Sequence, residues 1–477
     1  MTLNFNPKDL LFLKSAFTNE GEVNDMPFIL RWIELQKQKV GVKIEKIDFK
    51  DLKQWSFGNN FDILKHESGK FFSIAGIHVE TNWGEVPFWE QPIINQPEIG
   101  YLGFITKEFN GVLHFLLQAK IEPGNINFLQ LSPTLQATKS NYNQVHKGKK
   151  PLYLEFFQNA EPKNILLDQL QSEQGARFLK KRNRNIIIKV EEEIPVYDNF
   201  IWVTLLQIKE LIKLNNLVNM DTRTVISGIS YGNFQTDVIS LLGFLGTKKS
   251  NDTVKATILQ SALNAKNSLH SFDDIITFLT KMKSFYELHI EYKPLSKIDN
   301  WILGKSEIYH EQQKYFKVIA VNVEIENREV VSWSQPMIEA VQEGLCAFVC
   351  KNMNGLLHFI VQAKLECGNF DIIELAPTVQ CLTGNYRNTK EGSLPFLNYV
   401  LNAKQNQIIF DTMLSEEGGR FYREQNRNLI VIAGDEISDV LPENYMWMSL
   451  NQLFAFIKFN NFLNIQARSL LSAISFI

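Results

Sequence analysis

The chain has 477 residues, 45% of them hydrophobic, 12% aromatic and 21% charged, which excludes a disordered, collagen-like or single-span membrane protein and leaves room for about three domains, or two large ones. A formal net charge of -3, from 49 Lys and Arg against 52 Asp and Glu, gives no electrostatic footprint for nucleic acid or an anionic membrane. Four cysteines, Cys346, Cys350, Cys367 and Cys381, lack CxxC spacing and a histidine cluster at zinc-like spacing, and read as reduced core thiols.

The first residues, MTLNFNPKDLLFLKSAF, lack the basic and apolar regions of a signal peptide, and no run of about 18 apolar residues occurs, so a cytoplasmic protein is expected. Aromatic and β-branched runs at Phe71-Phe72-Ser73-Ile74 and Ile77-His78-Val79 predict an extended pair. Residues 102–106 and 112–121 flank Asn110-Gly111, the strongest turn dipeptide in the chain, and predict a hairpin. Along its second strand, alternation sends Leu113, Phe115, Leu117, Ala119 and Ile121 to a core face. His114, Gln118, Lys120 and Glu122 form an ordered polar row on the other. A merely solvated strand face would look the same in one copy.

Residues 129–137 read as a strand interrupted by Pro133, hence an edge or bulge beside that row. Leu166, Leu170, Gly175 and Phe178 stand at helical spacings and predict a helix over 165–179, followed by an arginine-rich stretch and a strand at 186–188. Residues 202–217 predict a closing helix. Asn251-Asp252-Thr253 offers capping residues for a connecting helix carrying Val254, Ile258, Leu259 and Leu263.

The sequence then repeats itself at a nearly constant offset. Asn110-Gly111-Val112-Leu113-His114-Phe115 recurs as Asn354-Gly355-Leu356-Leu357-His358-Phe359, and Gln118-Ala119-Lys120 as Gln362-Ala363-Lys364. Trp89 matches Trp333, Pro133-Thr134 matches Pro377-Thr378, Arg177-Phe178 matches Arg420-Phe421, and Asn183-Arg184-Asn185 matches Asn426-Arg427-Asn428. The unit is about 200 residues, the size of a domain. The expected division is an N-terminal repeat with leading helices at 1–230, a helical connector at 231–270 and a C-terminal repeat at 271–477. The fold class is α+β by duplication. Because the second copy keeps the polar row as His358, Gln362, Lys364 and Glu366, a ligand-facing role outweighs a solvated face.

The runs Leu116-Leu117-Gln118-Ala119-Lys120-Ile121-Glu122-Pro123-Gly124-Asn125, Ser132-Pro133-Thr134-Leu135-Gln136-Ala137-Thr138, Ser140-Asn141-Tyr142 and Ser172-Glu173-Gln174-Gly175-Ala176-Arg177-Phe178 resemble the NDP-hexose 2,3-dehydratases of deoxysugar biosynthesis. The resemblance covers nearly the whole chain. It implies two tandem Nudix-like α/β/α domains with mixed sheets, a homodimer, no cofactor, and a thymidine-diphosphate-linked 4-keto-6-deoxyhexose as substrate. A metal-dependent Nudix hydrolase needs several glutamates on one helix. Here the aligned run from Asp168 keeps only Glu173 and Gly175, and the run from Asp411 to Gly418 is similarly depleted, so no metal site is expected.

The implied reaction is an elimination. The ketone at carbon 4 acidifies the hydrogen on carbon 3, so loss of the carbon 2 hydroxyl needs a base, donors for the developing enolate and an acid for the departing hydroxyl. Candidates are Tyr142, Glu122, Lys120 and His114, with Tyr142 or Glu122 transferring the proton and Lys120 facing the carbon 4 oxygen. Arg177, Arg184 and Asn185 are candidates for the diphosphate, or else members of a surface charge cluster with Lys180, Lys181 and Arg182. Trp89, Gln91, Gln118 and Asn141 would meet base or sugar, although tryptophan beside Gln-Pro is as often a packing device. His66 and His310 read as structural.

Second-pocket equivalents are Lys364, Glu366, Tyr386, Arg420 and Arg427. The first copy matches the family motif more fully, with Ser140-Asn141-Tyr142 against Gly384-Asn385-Tyr386, and is expected to be the catalytic one. The second is expected to be degenerate or an auxiliary nucleotide site. Two other readings stay open: a metal-dependent Nudix-type nucleotide-sugar hydrolase and a noncatalytic nucleotide-sugar-binding protein.

Overall fold

The computed structural model describes residues 6–19, 21, 23–139, 150–232, 253–264, 266–326, 331–386 and 394–477. The first repeat opens with α1 (Pro7–Phe17) and α2 (Met26–Gln38), each started by a capping side chain, Asn6 or Asp25, with proline in the first turn. There follow β1 (Val42–Ile47), β2 (Trp55–Phe57), β3 (Ile63–His66), β4 (Ser73–Thr81), β5 (Phe88–Asn95), β6 (Gly100–Phe109), β7 (Val112–Ile121), β8 (Leu129–Ser132) and β9 (Leu135–Ala137). The unit closes with α3 (Leu154–Gln158), β10 (Ile165–Ser172), β11 (Phe178–Leu179), β12 (Arg182–Lys189), β13 (Phe200–Thr204), α4 (Leu205–Ile212) and α5 (Met220–Ser227).

The second repeat runs in the same order: α6 (Thr253–Leu263), α7 (Phe272–Phe285), β14 (Leu288–Lys293), β15 (Trp301–Leu303), β16 (Glu307–His310), β17 (Phe316–Ile325), β18 (Ser332–Ala340), β19 (Gly344–Met353) and β20 (Leu356–Leu365). It ends with β21 (Ile373–Pro377), β22 (Val379–Leu382), α8 (Leu397–Leu401), β23 (Ile408–Ser415), β24 (Gln425–Ala433), β25 (Tyr445–Ser449), α9 (Leu450–Phe456) and α10 (Ile465–Ser472). The helix expected in the connector is therefore present as α6, though two of its proposed capping residues, Asn251 and Asp252, lie outside the described residues. It is the counterpart of α1. Ser15 Oγ donates to Leu113 O at 2.6 Å, and Ser261 Oγ donates to Leu357 O at 2.5 Å.

Each repeat contributes a seven-stranded mixed sheet. In the first the order is β10-β12-β6-β7-β13, with β8 on β7 and β9 on β6; β12 and β6 are parallel and the other pairs antiparallel. The expected hairpin is β6–β7, and its turn places Asn110 at φ 49° and Gly111 at φ 75°, the left-handed pair that a two-residue turn between twisted strands requires. Pro133 breaks one run into β8 and β9, which then pair with different neighbours. The core face of β7 packs in one cluster with α1 and α4, while Leu116 and Trp202 on the other face pack with Leu154 and Phe157 of α3. None of the four sheets closes on itself.

Two expected helices are corrected. Residues 165–172 are strand β10, antiparallel to β12, and a bulge between Ile165 and Leu167 breaks the alternation that would have announced it. Residues 200–204 are strand β13. The closing helix starts only at Leu205, where Thr204 and Gln207 form a capping box. The two extended runs near residue 75 form one strand, β4.

The repeats interlock. β1 leaves its own repeat to pair with β17, and β14 leaves the second repeat to pair with β4. The two smaller sheets share one core, in which Trp55, Phe72 and Phe178 meet Trp301, Phe316 and Phe421. A tight seam runs beside it: Gly124 N donates to Gly418 O at 2.7 Å, and Gly368 N donates to Gly175 O at 2.6 Å. Arg223 of α5 and Arg468 of α10 cross between the repeats, donating to the carbonyls of Ser415 and Ser172.

Cys346, Cys350 and Cys367 are buried free thiols and Cys381 is half-buried. Among the described residues no helix is long and apolar enough to cross a membrane.

Candidate functional site

The polar row on β7 divides. Gln118, Lys120 and Glu122 line a cavity of about 900 Å³, but His114 does not. That imidazole is buried nearer the hairpin turn, with Nδ1 2.9 Å from Val112 O and its ring edge-on to Phe109. It belongs to the packing of the sheet end rather than to the cavity.

Glu122 is 4% exposed, and its Oε1 accepts from Gln136 Nε2 at 2.8 Å; Oε2 is buried with no hydrogen-bond partner among the described residues. Gln136 is held in turn by Asn219, which caps α5 and donates to its Oε1 at 3.3 Å. Lys120 Nζ stands 3.5 Å from Glu122 Oε1. Thus β7, β9 and α5 together fix one carboxylate and place a cation beside it.

The floor also contains groups that the sequence reading did not select. Asp221, in the first turn of α5, and Glu173, just after β10, reach it from the first repeat. Lys181 donates to Glu98 O and, at 2.9 Å, to Asn183 Oδ1, while Asn183 donates to Glu173 Oε1 at 2.6 Å. Glu417 and Arg420, in the loop after β23, arrive from the second repeat. Burial raises the Glu417 carboxyl to about 7, helped by the charge on Glu122, and lowers Lys181 to about 8. Burial also pushes Asp221 well above the carboxylate range, with Glu417, Glu173 and Glu122 adding repulsion. The interlocked architecture is what brings these groups together. The first repeat alone would lack Glu417 at this cavity.

The cavity wall exchanges copies in the same way. Trp333 and Gln335 on β18 line it, with Trp333 Nε1 donating to Gln335 Oε1 at 2.8 Å. Trp89 and Gln91, the expected pair, do not; Trp89 Nε1 donates to Gln91 Oε1 at 2.9 Å and Gln91 Nε2 to Ala176 O at 3.0 Å, the packing alternative. Arg177 stacks over Phe316, whereas its counterpart Arg420 stacks over Phe72 on the cavity side, each 4.2 Å from the ring centre. Arg184 is held bidentate by Asp168 at 2.7 and 2.6 Å, and Arg427 by Asp411 at 2.9 and 2.7 Å. Both lie outside the cavity, as does Asn185, which is 1% exposed and donates to Thr224 Oγ1 at 3.4 Å.

His66 lines one wall with Nδ1 2.9 Å from Ser68 Oγ and its ring edge-on to Trp55, a structural setting. Tyr142 and Asn141 lie outside the described residues, and Tyr386 ends a short 3-10 turn whose last side chain is outside them too.

The second copy reproduces the scaffold. Asn464 donates to Gln380 Oε1 at 2.7 Å, and Gln380 to Glu366 Oε1 at 2.8 Å, with Lys364 two residues before on β20. Its ionisable set is reduced: Gln466 stands where Asp221 would be, Gln174 in place of Glu417 and Glu424 in place of Lys181. Among the described residues no three His, Cys, Asp or Glu side chains gather as they would to hold a metal ion.

A family model described as NDP-hexose 2,3-dehydratase matches residues 27–229 and again 272–474. Similar curated proteins carry the name dTDP-4-dehydro-6-deoxy-alpha-D-glucopyranose 2,3-dehydratase. The one from Saccharopolyspora spinosa is 42% identical over 444 residues, 93% of this chain and 90% of that protein. Those from Amycolatopsis orientalis and Streptomyces violaceoruber are 38% identical over 467 residues and 41% over 435, covering 97% and 91% of this chain and 92% and 93% of their own lengths.

Proposed function

The chain belongs to the NDP-hexose 2,3-dehydratase family, and from that premise we propose that it removes the carbon 2 hydroxyl of dTDP-4-keto-6-deoxy-D-glucose as water, giving the 3,4-diketo-2,6-dideoxy sugar nucleotide. The observation that carries this is the match to three dehydratases over more than nine-tenths of the chain. The enzyme is a carbon–oxygen hydro-lyase.

The first-repeat cavity is the catalytic pocket. Glu122 takes the carbon 3 hydrogen, since its free Oε2 is a ready acceptor, and Lys120 stabilises the developing charge on the carbon 4 oxygen. Tyr142, which follows the cavity-lining Thr138 by four positions in the sequence, is kept as a second proton-transfer group. Gln118, with Trp333 and Gln335, orients sugar and base. Arg420 receives the diphosphate, its Nε having no hydrogen-bond partner among the described residues. Arg420→Ala is expected to raise the Kd for dTDP about 10- to 100-fold, the loss of one charge-assisted contact, by calorimetry. Unchanged affinity would remove Arg420 from this role.

The second pocket, built on Lys364 and Glu366 with Arg177 arriving from the first repeat, is a catalytically silent relative of that pocket. The proposed division is 1–230, 231–270 and 271–477, with α6 in the middle segment standing to the second unit as α1 stands to the first. The Nudix-like description of each unit is supported by a mixed sheet with helices on both faces. The segment where a Nudix helix would carry its glutamates is strand β10, which weighs against diphosphate hydrolysis. A cytoplasmic homodimer completes the reading; light scattering that finds a monomer at micromolar concentration would overturn the dimer.

The test is purified protein with dTDP-4-keto-6-deoxyglucose, with and without EDTA, followed by mass spectrometry and with a ketoreductase to trap the diketone. Loss of one water regardless of EDTA is expected. EDTA-sensitive cleavage of the diphosphate would replace the dehydratase by a hydrolase, and binding without product by a noncatalytic binder.

A further inference from the structure

Elimination needs an acid as well as a base, and the charge arrangement of the cavity floor singles one out. Four carboxyls, Glu122, Glu173, Asp221 and Glu417, share the floor with three cations, Lys120, Lys181 and Arg420. Among the described residues no hydrogen bond or ion pair joins any of these cations to Asp221, although the charge on Lys120 offsets part of the repulsion there. Lys120 lies by Glu122, Lys181 donates to Glu98 O and Asn183 Oδ1, and Arg420 donates to Gly419 O at 3.0 Å. Arg223, two residues along the same helix, directs its guanidinium to Ser415 O and Ser469 Oγ. Asp221 is 3% exposed, and the charges of the other three carboxyls lining the same cavity act on it. Like charges crowded out of water do not all ionise, and Asp221 is both the least exposed of the four and the one whose carboxyl accepts no hydrogen bond among the described residues, whereas Gln136, Asn183 and Gly419 N donate to Glu122, Glu173 and Glu417.

Resting on the dehydratase reading above, we propose that Asp221 is the acid that protonates the departing carbon 2 hydroxyl. Glu122 removes the carbon 3 hydrogen, and the electron pair moves through the carbon 3–carbon 4 enolate. The carbon 2–oxygen bond breaks as Asp221 gives its proton, and water leaves. The enol then becomes the ketone: its hydroxyl proton returns to the Asp221 carboxylate, and carbon 2 takes up the proton held by Glu122. Atoms and charge balance with no other reactant. The second copy carries Gln466 at this position, and an amide cannot deliver that proton, so the copy that keeps the Lys-Glu pair still lacks the acid.

The decisive comparison uses two leaving groups. Fluoride departs without protonation, so an enzyme missing only its acid should still eliminate it. For Asp221→Asn we expect unchanged dTDP affinity, turnover of the natural substrate lower by about 10²- to 10⁴-fold, and fluoride release from the 2-deoxy-2-fluoro analogue within about tenfold of wild type. Natural turnover within about tenfold of wild type, or equal losses on both substrates, would overturn the assignment. Wild-type enzyme that releases no water from the natural substrate would bring down the dehydratase reading itself, and Asp221 with it.

Discussion

Glu122→Gln lowers kcat by about 10²- to 10⁴-fold while leaving dTDP affinity close to wild type, because the substitution keeps the side-chain shape and removes only the proton acceptor. Glu122 is held on one side by Gln136, itself held by the cap residue of α5, so its other oxygen has a fixed position on the cavity floor. A glutamine there presents either an amide nitrogen or a neutral oxygen to carbon 3. Exchange of the carbon 3 hydrogen with deuterated water separates this group from Asp221. It should cease in Glu122→Gln and persist in Asp221→Asn, since the acid acts only when the carbon 2–oxygen bond breaks. Turnover of Glu122→Gln within about tenfold of wild type would remove Glu122 as the base.

Gly124→Ala destabilises the protein by about 3 kcal/mol, the upper end of ordinary overpacking, read as a lower urea midpoint. A Cβ at Gly124 would sit 1.7 Å from Phe421 O and 2.7 Å from Gly418 O, both backbone atoms that cannot rotate aside. A Cβ at Gly368 would sit 1.7 Å from Phe178 O and 2.5 Å from Gly175 O, so Gly368→Ala should cost a similar amount. The first variant should also lose activity, because the Phe421 carbonyl it displaces is adjacent to Arg420 and four residues from Glu417. An unchanged midpoint in both would mean that the seam opens without cost.

The strongest local signals in the sequence were those with a single physical cause. Asn110-Gly111 and Asn354-Gly355 demand left-handed backbone, and both turns are where the dipeptides place them. Alternation on β7 correctly separated the core from Lys120 and Glu122. It could not say how far along the strand the polar face stays polar, and His114 is buried because the sheet end is covered on both sides. Residues 165–179 looked helical because a bulge near Ile165 disturbs the period of two, leaving four apolar positions that fit a period of 3.6 by coincidence. The start of the second repeat was legible but weak: Phe12-Leu13-Lys14-Ser15-Ala16-Phe17 and Ile258-Leu259-Gln260-Ser261-Ala262-Leu263 share only three identical residues, although both serines hold the same carbonyl. Glu417, Arg420 and Trp333 could not be placed in the first cavity at all, since each is distant in sequence and arrives by long-range packing between repeats.

The exchange of β1 and β14 constrains how such a chain could have arisen. A single-unit precursor folded in this way would have no β1 partner of its own and would have to lend that strand to a second copy, accepting one in return. Its folding would therefore have depended on its own concentration. Joining two copies end to end turns that encounter into an intramolecular one, at an effective concentration of order millimolar for a short linker. The fusion also removes the symmetry. Once the two lenders are different stretches of one chain, one cavity can keep Asp221, Glu417 and Lys181 while the other drifts to Gln466, Gln174 and Glu424 without loss of either strand.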